Sequence, residues 1–125
     1  MIVGMGVDIT EVGRVQGVIE RQGKRFVQRV FTEKEIAYCE GSKNKYERYA
    51  GRFAAKEAAM KALGTGWRAG VRWQDLEVVR HPSGRPTLEL KGEARKIADQ
   101  MGVKNIVMSI THTAEQAMAQ VIFES

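Results

Sequence analysis

The sequence predicts an α+β domain in which a small antiparallel sheet packs on one long central helix. Three observations support this fold class. Apolar patterns give one strand first, then several helices, then a strand-rich half. An alanine-rich stretch at 51–64 contains no proline and ends on a glycine. The length of 125 residues fits a single domain that spans residues 1–125.

The first half of the chain is predicted to hold one strand and four helices. The strand, Ile2–Ile9, is mostly apolar and punctuated by glycine. A capping box that joins Thr32 to Glu35 opens the third helix, which ends near Gly41. The other helices are predicted over Glu11–Gln22, Lys24–Val30 and Asn44–Gly64.

The second half is predicted to hold four strands and one helix. A turn at His81–Pro86 joins two of the strands, and Thr65–Trp73 is predicted to be a glycine-containing loop. The strands are predicted over Leu76–Arg80, Thr87–Leu90, Ile106–Thr111 and Ala117–Glu124, and the helix over Glu93–Met101. Because these strands are few and short, we expect an oligomer to complete the sheet.

The composition predicts a protein of the cytoplasm with an acidic partner or an anionic substrate. The net charge of +5 lies entirely within residues 11–61, which hold 12 Lys or Arg against 7 Asp or Glu. Cys39 is the only cysteine, so no internal disulfide forms and we expect it to pack in the core. No apolar run approaches the ~20 residues of a membrane span. The first residues predict a strand rather than a signal peptide.

The long central helix carries an unusually placed charged pair. Glu57 and Lys61 lie one turn apart, at the edge between its aromatic and alanine faces, while Arg48, Arg52 and Lys56 form a separate basic row. Two interpretations remain open. The pair forms an ordinary i,i+4 contact worth about 0.2–0.5 kcal/mol, or it acts on a ligand.

Asp8 is the other candidate functional residue. It lies at the end of the first strand, next to Gly6, where a ligand can approach the backbone. The alternative is that Asp8 or Thr10 caps the following helix. The sequence offers no nucleophile motif, no zinc-binding cluster and no Walker loop. Two carboxylates and a lysine suit Mg²⁺-assisted phosphoryl chemistry, although this combination is common in proteins.

Three segments together resemble one known family. They are residues 4–14, from Gly4 to Arg14, residues 52–66, and Ser109–Thr113 followed by the last strand. The sequence is similar to the bacterial holo-[acyl-carrier-protein] synthases, which are short 4'-phosphopantetheinyl transferases. The match runs in order over nearly the whole chain. The family is typically trimeric, with its sites at subunit interfaces.

The resemblance implies an activity and roles for individual residues. Coenzyme A would donate 4'-phosphopantetheine to a serine of apo acyl carrier protein, releasing adenosine 3',5'-bisphosphate, in support of fatty acid biosynthesis. Asp8 and Glu57 would bind Mg²⁺, Glu57 would help deprotonate the serine, and Lys61 would stabilise the leaving phosphate. The residues implied to contact coenzyme A are Arg52, Lys56, Lys61, Gly64, Arg85, Pro86, Thr111 and His112. Those implied to face the acidic carrier protein are Arg14, Arg21 and Arg25.

Two other functions are compatible with parts of the sequence. The basic charge suits a nucleic-acid-binding module, but the basic residues do not alternate with exposed aromatics, and we expect no nucleic-acid partner. A Mg²⁺-dependent phosphohydrolase could use the same three candidate residues.

Overall fold

The computed structural model describes residues 1–67 and 70–125. It contains five α-helices within those residues, which are α1 (Val12–Gln22), α2 (Lys24–Val30), α3 (Glu33–Glu40), α4 (Lys45–Leu63) and α5 (Gly92–Met101). The strands are β1 (Ile2–Glu11), β2 (Leu76–Arg80), β3 (Pro86–Leu90), β4 (Asn105–His112) and β5 (Gln116–Glu124).

The strands form two antiparallel sheets. The larger sheet has the order β1-β5-β4, and β2 and β3 form a separate hairpin. The central strand β5 is paired along nearly its whole length, with Asp8 opposite Ala119 and Met108 opposite Val121. The first strand of the chain is therefore held in place by hydrogen bonds to the last strand.

Helix α4 packs on one face of the three-stranded sheet, and glycines of β1 allow a very close approach. A Cβ atom at Gly6 would overlap the backbone carbonyl of Ala58, and one at Gly4 would overlap that of Ala62. The alanines of α4 at this interface are fully or almost fully buried. This contact places the end of β1, including Asp8, beside the C-terminal half of α4.

The opposite face of this sheet is apolar and exposed in the single chain. Alternation along β1 points Met5, Val7 and Ile9 away from α4, and these side chains are 49–61% exposed. Val107 of β4 and Met118 of β5 lie on the same face and are also exposed.

The predicted fold class and every predicted helix and strand are confirmed, with boundaries within one or two residues. The capping box of α3 is present, because Thr32 and Glu35 each accept a backbone hydrogen bond from the other. A short 3-10 turn at Trp73–Asp75 was not predicted. Part of the predicted loop at Thr65–Trp73 lies outside the described residues. Within residues 1–67 and 70–125, no helix has both the length and the apolar character needed to cross a bilayer.

Candidate active site

Asp8 and Lys61 form an ion pair where the end of β1 meets α4. The Lys61 ammonium lies 3.3 Å from Asp8 Oδ1 and donates a 2.9 Å hydrogen bond to the carbonyl of Val7. Thr10 Oγ1 donates to the other oxygen of Asp8. Neither Asp8 nor Thr10 caps α1, since its N-cap residue is Glu11 and no side chain caps it. The capping interpretation of Asp8 was therefore wrong.

Glu57 lies between two cavities. On one side, a cavity of about 330 Å³ is lined by Asp8, Arg14, Phe53 and other residues of α1, α2 and β1. On the other side, a cavity of about 340 Å³ is lined by Glu57, Met60, Lys61, Gly64, Gly66 and Trp67. A group bound in either cavity can therefore reach the Glu57 carboxylate.

Burial and four neighbouring side chains act on the pKa of the Glu57 carboxyl. Burial raises the pKa of the Glu57 carboxyl above its ordinary value, and the negative charge of Asp8 raises it further. Lys61, a hydrogen bond from Trp67 and the charge of Arg14 act in the opposite direction but leave the pKa raised. A carboxylate with a raised pKa is a better proton acceptor than an ordinary surface glutamate. The i,i+4 pairing of Glu57 with Lys61 is not formed, because Lys61 pairs with Asp8 instead.

The side chains of Asp8 and Glu57 supply only some of the ligands that a hard cation needs. Asp8 and Glu57 supply carboxylate oxygens, and a cation between them would relieve the repulsion that raises the Glu57 pKa. Within residues 1–67 and 70–125, no group of three or more His, Cys, Asp or Glu side chains is arranged to hold a metal. Two protein carboxylates leave the remaining positions to water or phosphate oxygens, as is usual for Mg²⁺.

The basic residues predicted to face a partner lie on one side of this site. Arg14 is exposed on α1 and lines the same cavity as Glu57. Arg21, in the last turn of α1, and Arg25, on α2, are exposed further along the same helical layer.

A second basic cluster lies near the N-terminal half of α4. The guanidinium groups of Arg48, Arg52 and Arg80 lie 4.0, 3.8 and 5.0 Å from the centre of the Tyr38 ring. Arg52 is only 6% exposed, and its Nε has no hydrogen-bond partner among the described residues. Arg52, Tyr38 and Arg80 line a cavity of about 320 Å³. Glu35 also lines this cavity but is paired with Lys56, so the arginines carry the excess charge and the site suits an anion.

The structure corrects the role expected for Lys56. Its side chain is fully buried, and its ammonium lies 2.9 Å from Glu35 Oε1 and donates to the carbonyls of Trp73 and Leu76. Burial lowers the pKa of Lys56, while the paired Glu35 acts to raise it. With all three N–H donors used, Lys56 is not available to contact a nucleotide in this structure.

The other residues expected to contact coenzyme A lie apart from Asp8 and Glu57. His112 Nδ1 lies 2.8 Å from Glu47 Oε1, in the first turn of α4, and Glu47 is about 15 Å along the helix axis from Glu57. Thr111 lies on the exposed apolar face of the sheet, opposite Met118. Arg85 and Pro86 lie where the β2–β3 turn meets β3, with Pro86 paired to Arg80. Only Gly64 lies beside Lys61, at the C-cap of α4.

Sequence patterns did not identify three residues that the structure places at these sites. Tyr38 and Arg80 belong to elements far from Arg52 in sequence, so no spacing rule joins them. Trp67 was treated as part of a loop. The available signal in the sequence was the presence of Gly64 and Gly66 just before Trp67. In the structure both glycines have positive φ, and the chain turns back towards α4 there.

Residues 4–121 match the family model of the 4'-phosphopantetheinyl transferase superfamily. The chain belongs to this superfamily. It is therefore a transferase, and the resemblance to the holo-[acyl-carrier-protein] synthases is confirmed across its whole length. A holo-[acyl-carrier-protein] synthase of Solibacter usitatus is 61% identical over 125 residues, covering 100% of both chains. One of Koribacter versatilis is 51% identical and covers 99% of each.

Solved structures of this transferase group have the same fold. The holo-[acyl-carrier-protein] synthase of Neisseria meningitidis superposes with a TM-score of 0.90 at 28% identity, covering 100% of both chains. The enzyme of Bacillus anthracis, solved in complex with coenzyme A (3',5'-ADP), gives a TM-score of 0.82 at 38% identity. That match covers 100% of this chain and 98% of the other.

Proposed function

We propose that this transferase moves 4'-phosphopantetheine from coenzyme A to a serine of apo acyl carrier protein. The observation that carries the proposal is the position of Glu57 between two cavities. One cavity adjoins Lys61 and Gly64, which suit a phosphate, and the other is bordered by Arg14, which suits an acidic partner. The activity named for the two curated relatives agrees with this arrangement.

Glu57 and Lys61 would have separate roles in the reaction. The serine oxygen forms a bond to the phosphorus of the pantetheine arm, and the bond from that phosphorus to adenosine 3',5'-bisphosphate breaks. Glu57, whose side chain lines both cavities, would accept the serine proton. Lys61, 56% exposed beside Asp8, would neutralise charge that develops on the leaving phosphate.

We further propose that the reaction depends on Mg²⁺, held by Asp8 and Glu57 together with oxygens of the donor. The ion would supply a Lewis acid that neutralises phosphate charge. Asp8 is oriented for this role by the hydrogen bond from Thr10, which fixes one carboxylate oxygen.

A complete site would require a second copy of the chain. Arg52 and Lys61 are nine residues apart on α4, so they point in opposite directions, about 180° apart. His112, at the end of β4, contacts Glu47, which lies two to three turns of α4 away from Glu57. One donor molecule therefore does not meet both sets on one protomer. We propose that its phosphate end binds one protomer and its nucleotide binds Arg52, Arg85, Thr111 and His112 of a neighbour.

The exposed apolar face of the sheet is a suitable surface for contact between protomers. Val7, Ile9 and Met118 are 41–61% exposed, and such a continuous apolar surface is costly to leave in water. We propose that this face joins three protomers. Light scattering is expected to give three times the chain mass of 14.0 kDa, and a monomer at working concentration would contradict the assembly.

The carrier protein would dock on the basic layer of α1 and α2. Arg14 borders the cavity of Glu57, and Arg21 and Arg25 extend the positive surface away from it. An acidic helix placed on this surface would bring its serine to Glu57. We propose that the acceptor serves fatty acid biosynthesis in the cytoplasm.

The experiment is an intact-mass measurement. Apo acyl carrier protein incubated with the enzyme, coenzyme A and Mg²⁺ is expected to gain about 340 Da, the mass of the pantetheine phosphate group transferred. Asp8→Asn and Glu57→Gln should lose most of the activity and keep the wild-type circular dichroism spectrum. Asp99→Asn, an exposed change on α5, is the matched control and should keep full activity. Release of adenosine 3',5'-bisphosphate without any modified carrier protein would instead indicate a hydrolase.

A further inference from the structure

Trp67 is a large aromatic side chain that stays partly open to solvent beside the candidate active site. It is 37% exposed and lines the cavity of about 340 Å³ together with Glu57, Lys61 and Met60. The other large exposed apolar residues lie at the N-terminus or on the outer face of the sheet. The position of Trp67 therefore differs from that of every other exposed apolar residue in the described chain.

Other aromatic side chains pack against the indole of Trp67 and order it. Its ring centre lies 3.8 Å from that of Trp73, and Trp73 stacks on Phe53 at 5.1 Å with an interplanar angle of 25°. Phe53 belongs to α4 and is partly buried in the core. A side chain ordered in this way loses little conformational freedom when a ligand covers its remaining face.

The composition of this cavity changes from charged to apolar over a short distance. Lys61 and Glu57 provide the charged part, and Met60 and Trp67 provide the apolar part. Coenzyme A has the same sequence of groups at its centre. The phosphate of its pantetheine arm is followed, after one methylene, by a quaternary carbon with two methyl groups.

We propose that Trp67 contacts the gem-dimethyl segment of the pantetheine arm and so selects donors that carry it. This inference rests on the proposed function, in which Lys61 meets the leaving phosphate, one bridging oxygen away from the phosphate that carries the pantetheine arm. Methyl groups against an indole face gain dispersion and lose contact with water, without any requirement for a hydrogen bond. Trp67 is thus a specificity residue for the donor, and its hydrogen bond to Glu57 also makes it a positioning residue for that carboxylate.

A chemical double-mutant cycle tests the contact. Wild-type enzyme is compared with Trp67→Ala, each with coenzyme A and with an analogue that lacks the two methyl groups. In wild type, removing the methyl groups should raise KM about tenfold, the value expected for two buried methyl groups. In Trp67→Ala the two donors should differ less than twofold. Equal discrimination by both enzymes would overturn the proposal, and a merely structural role of Trp67 predicts that outcome.

Fluorescence provides a second readout that needs neither turnover nor carrier protein. The chain has two tryptophans, so Trp73→Phe reports on Trp67 and Trp67→Phe reports on Trp73. Coenzyme A should change the emission of Trp67 in the first variant. Adenosine 3',5'-bisphosphate, which lacks the pantetheine arm, should change it by less than a third as much.

The two measurements distinguish this inference from the proposed function. Transfer to carrier protein without a Trp67 response to coenzyme A would overturn the inference and leave the function standing. A response to coenzyme A without transfer would support the contact and contradict the function. An equal response to coenzyme A and to adenosine 3',5'-bisphosphate would show that Trp67 senses the nucleotide and would overturn the inference.

Discussion

Replacing Lys56 with methionine should strongly destabilise the protein without acting on coenzyme A directly. The substitution removes a fully buried ammonium that lies 2.9 Å from Glu35. Glu35 would remain buried with a negative charge, held only by the backbone N–H groups of Thr32 and Val78. The carbonyls of Trp73 and Leu76 would each lose a donor.

The magnitude follows from the burial of both partners. Breaking a buried ion pair by removing one member costs about 3–5 kcal/mol, because the remaining charge is uncompensated. A domain of this size is stable by about 5–15 kcal/mol, so Lys56→Met should leave a folded but weakened protein. Urea unfolding followed by circular dichroism measures the change as a lower midpoint with an unchanged slope.

A second variant separates loss of charge from loss of volume. In Lys56→Met with Glu35→Gln, neither position carries a charge, and the glutamine can still accept a backbone hydrogen bond. The pair should show a coupling of about 2 kcal/mol or more in a double-mutant cycle. The KM for coenzyme A should stay near wild type in this double variant. A cost below about 1 kcal/mol for Lys56→Met, or a large rise in KM in the stable double variant, would refute the structural role of Lys56.

Three further predictions concern the core, the β1–α4 contact and the partner surface. Cys39 should not react with a thiol reagent at pH 8 until the protein unfolds, because burial raises the pKa of its thiol to about 12; rapid labelling of native protein would contradict this. Gly6→Ala should cost about 1–3 kcal/mol in urea unfolding and lower activity, because the added methyl group would overlap the Ala58 carbonyl and move Asp8 away from Glu57. Gly13→Ala, where a Cβ meets nothing, is its control and should not destabilise. Arg14→Glu should raise the KM for carrier protein at least tenfold and leave coenzyme A binding unchanged in calorimetry; an equal loss of both would remove Arg14 from the docking surface.

Local patterns in the sequence predicted the elements well, since their signals act over a few residues. The capping box at Thr32 and the glycine after α4 each specify a boundary that the structure reproduces. The 3-10 turn at Trp73–Asp75 was missed although its contact is equally local: the Arg72 backbone N–H donates to the Asp75 carboxylate, but Arg72 is not one of the preferred N-cap residues.

The candidate site was predictable only where a residue's neighbours are close in sequence or in a known motif. Lys56 was misjudged because its partner Glu35 lies 21 residues away, and helical spacing alone cannot reveal a buried ion pair. The cluster of arginines around Tyr38 joins α3, α4 and β2, so it depends on tertiary packing. The pairing of Lys61 with Asp8 likewise depends on β1 packing against α4.

The central claim is that transfer occurs at a site shared by two protomers, and complementation tests it most directly. Glu57→Gln damages one half of the proposed site, while His112→Ala with Arg85→Ala damages the other. Each variant alone should be nearly inactive in the intact-mass assay. Random 1:1 co-assembly should restore about a quarter of the wild-type rate, because that share of interfaces pairs two undamaged halves. A rate no higher than the sum of the separate variants would contradict a shared site.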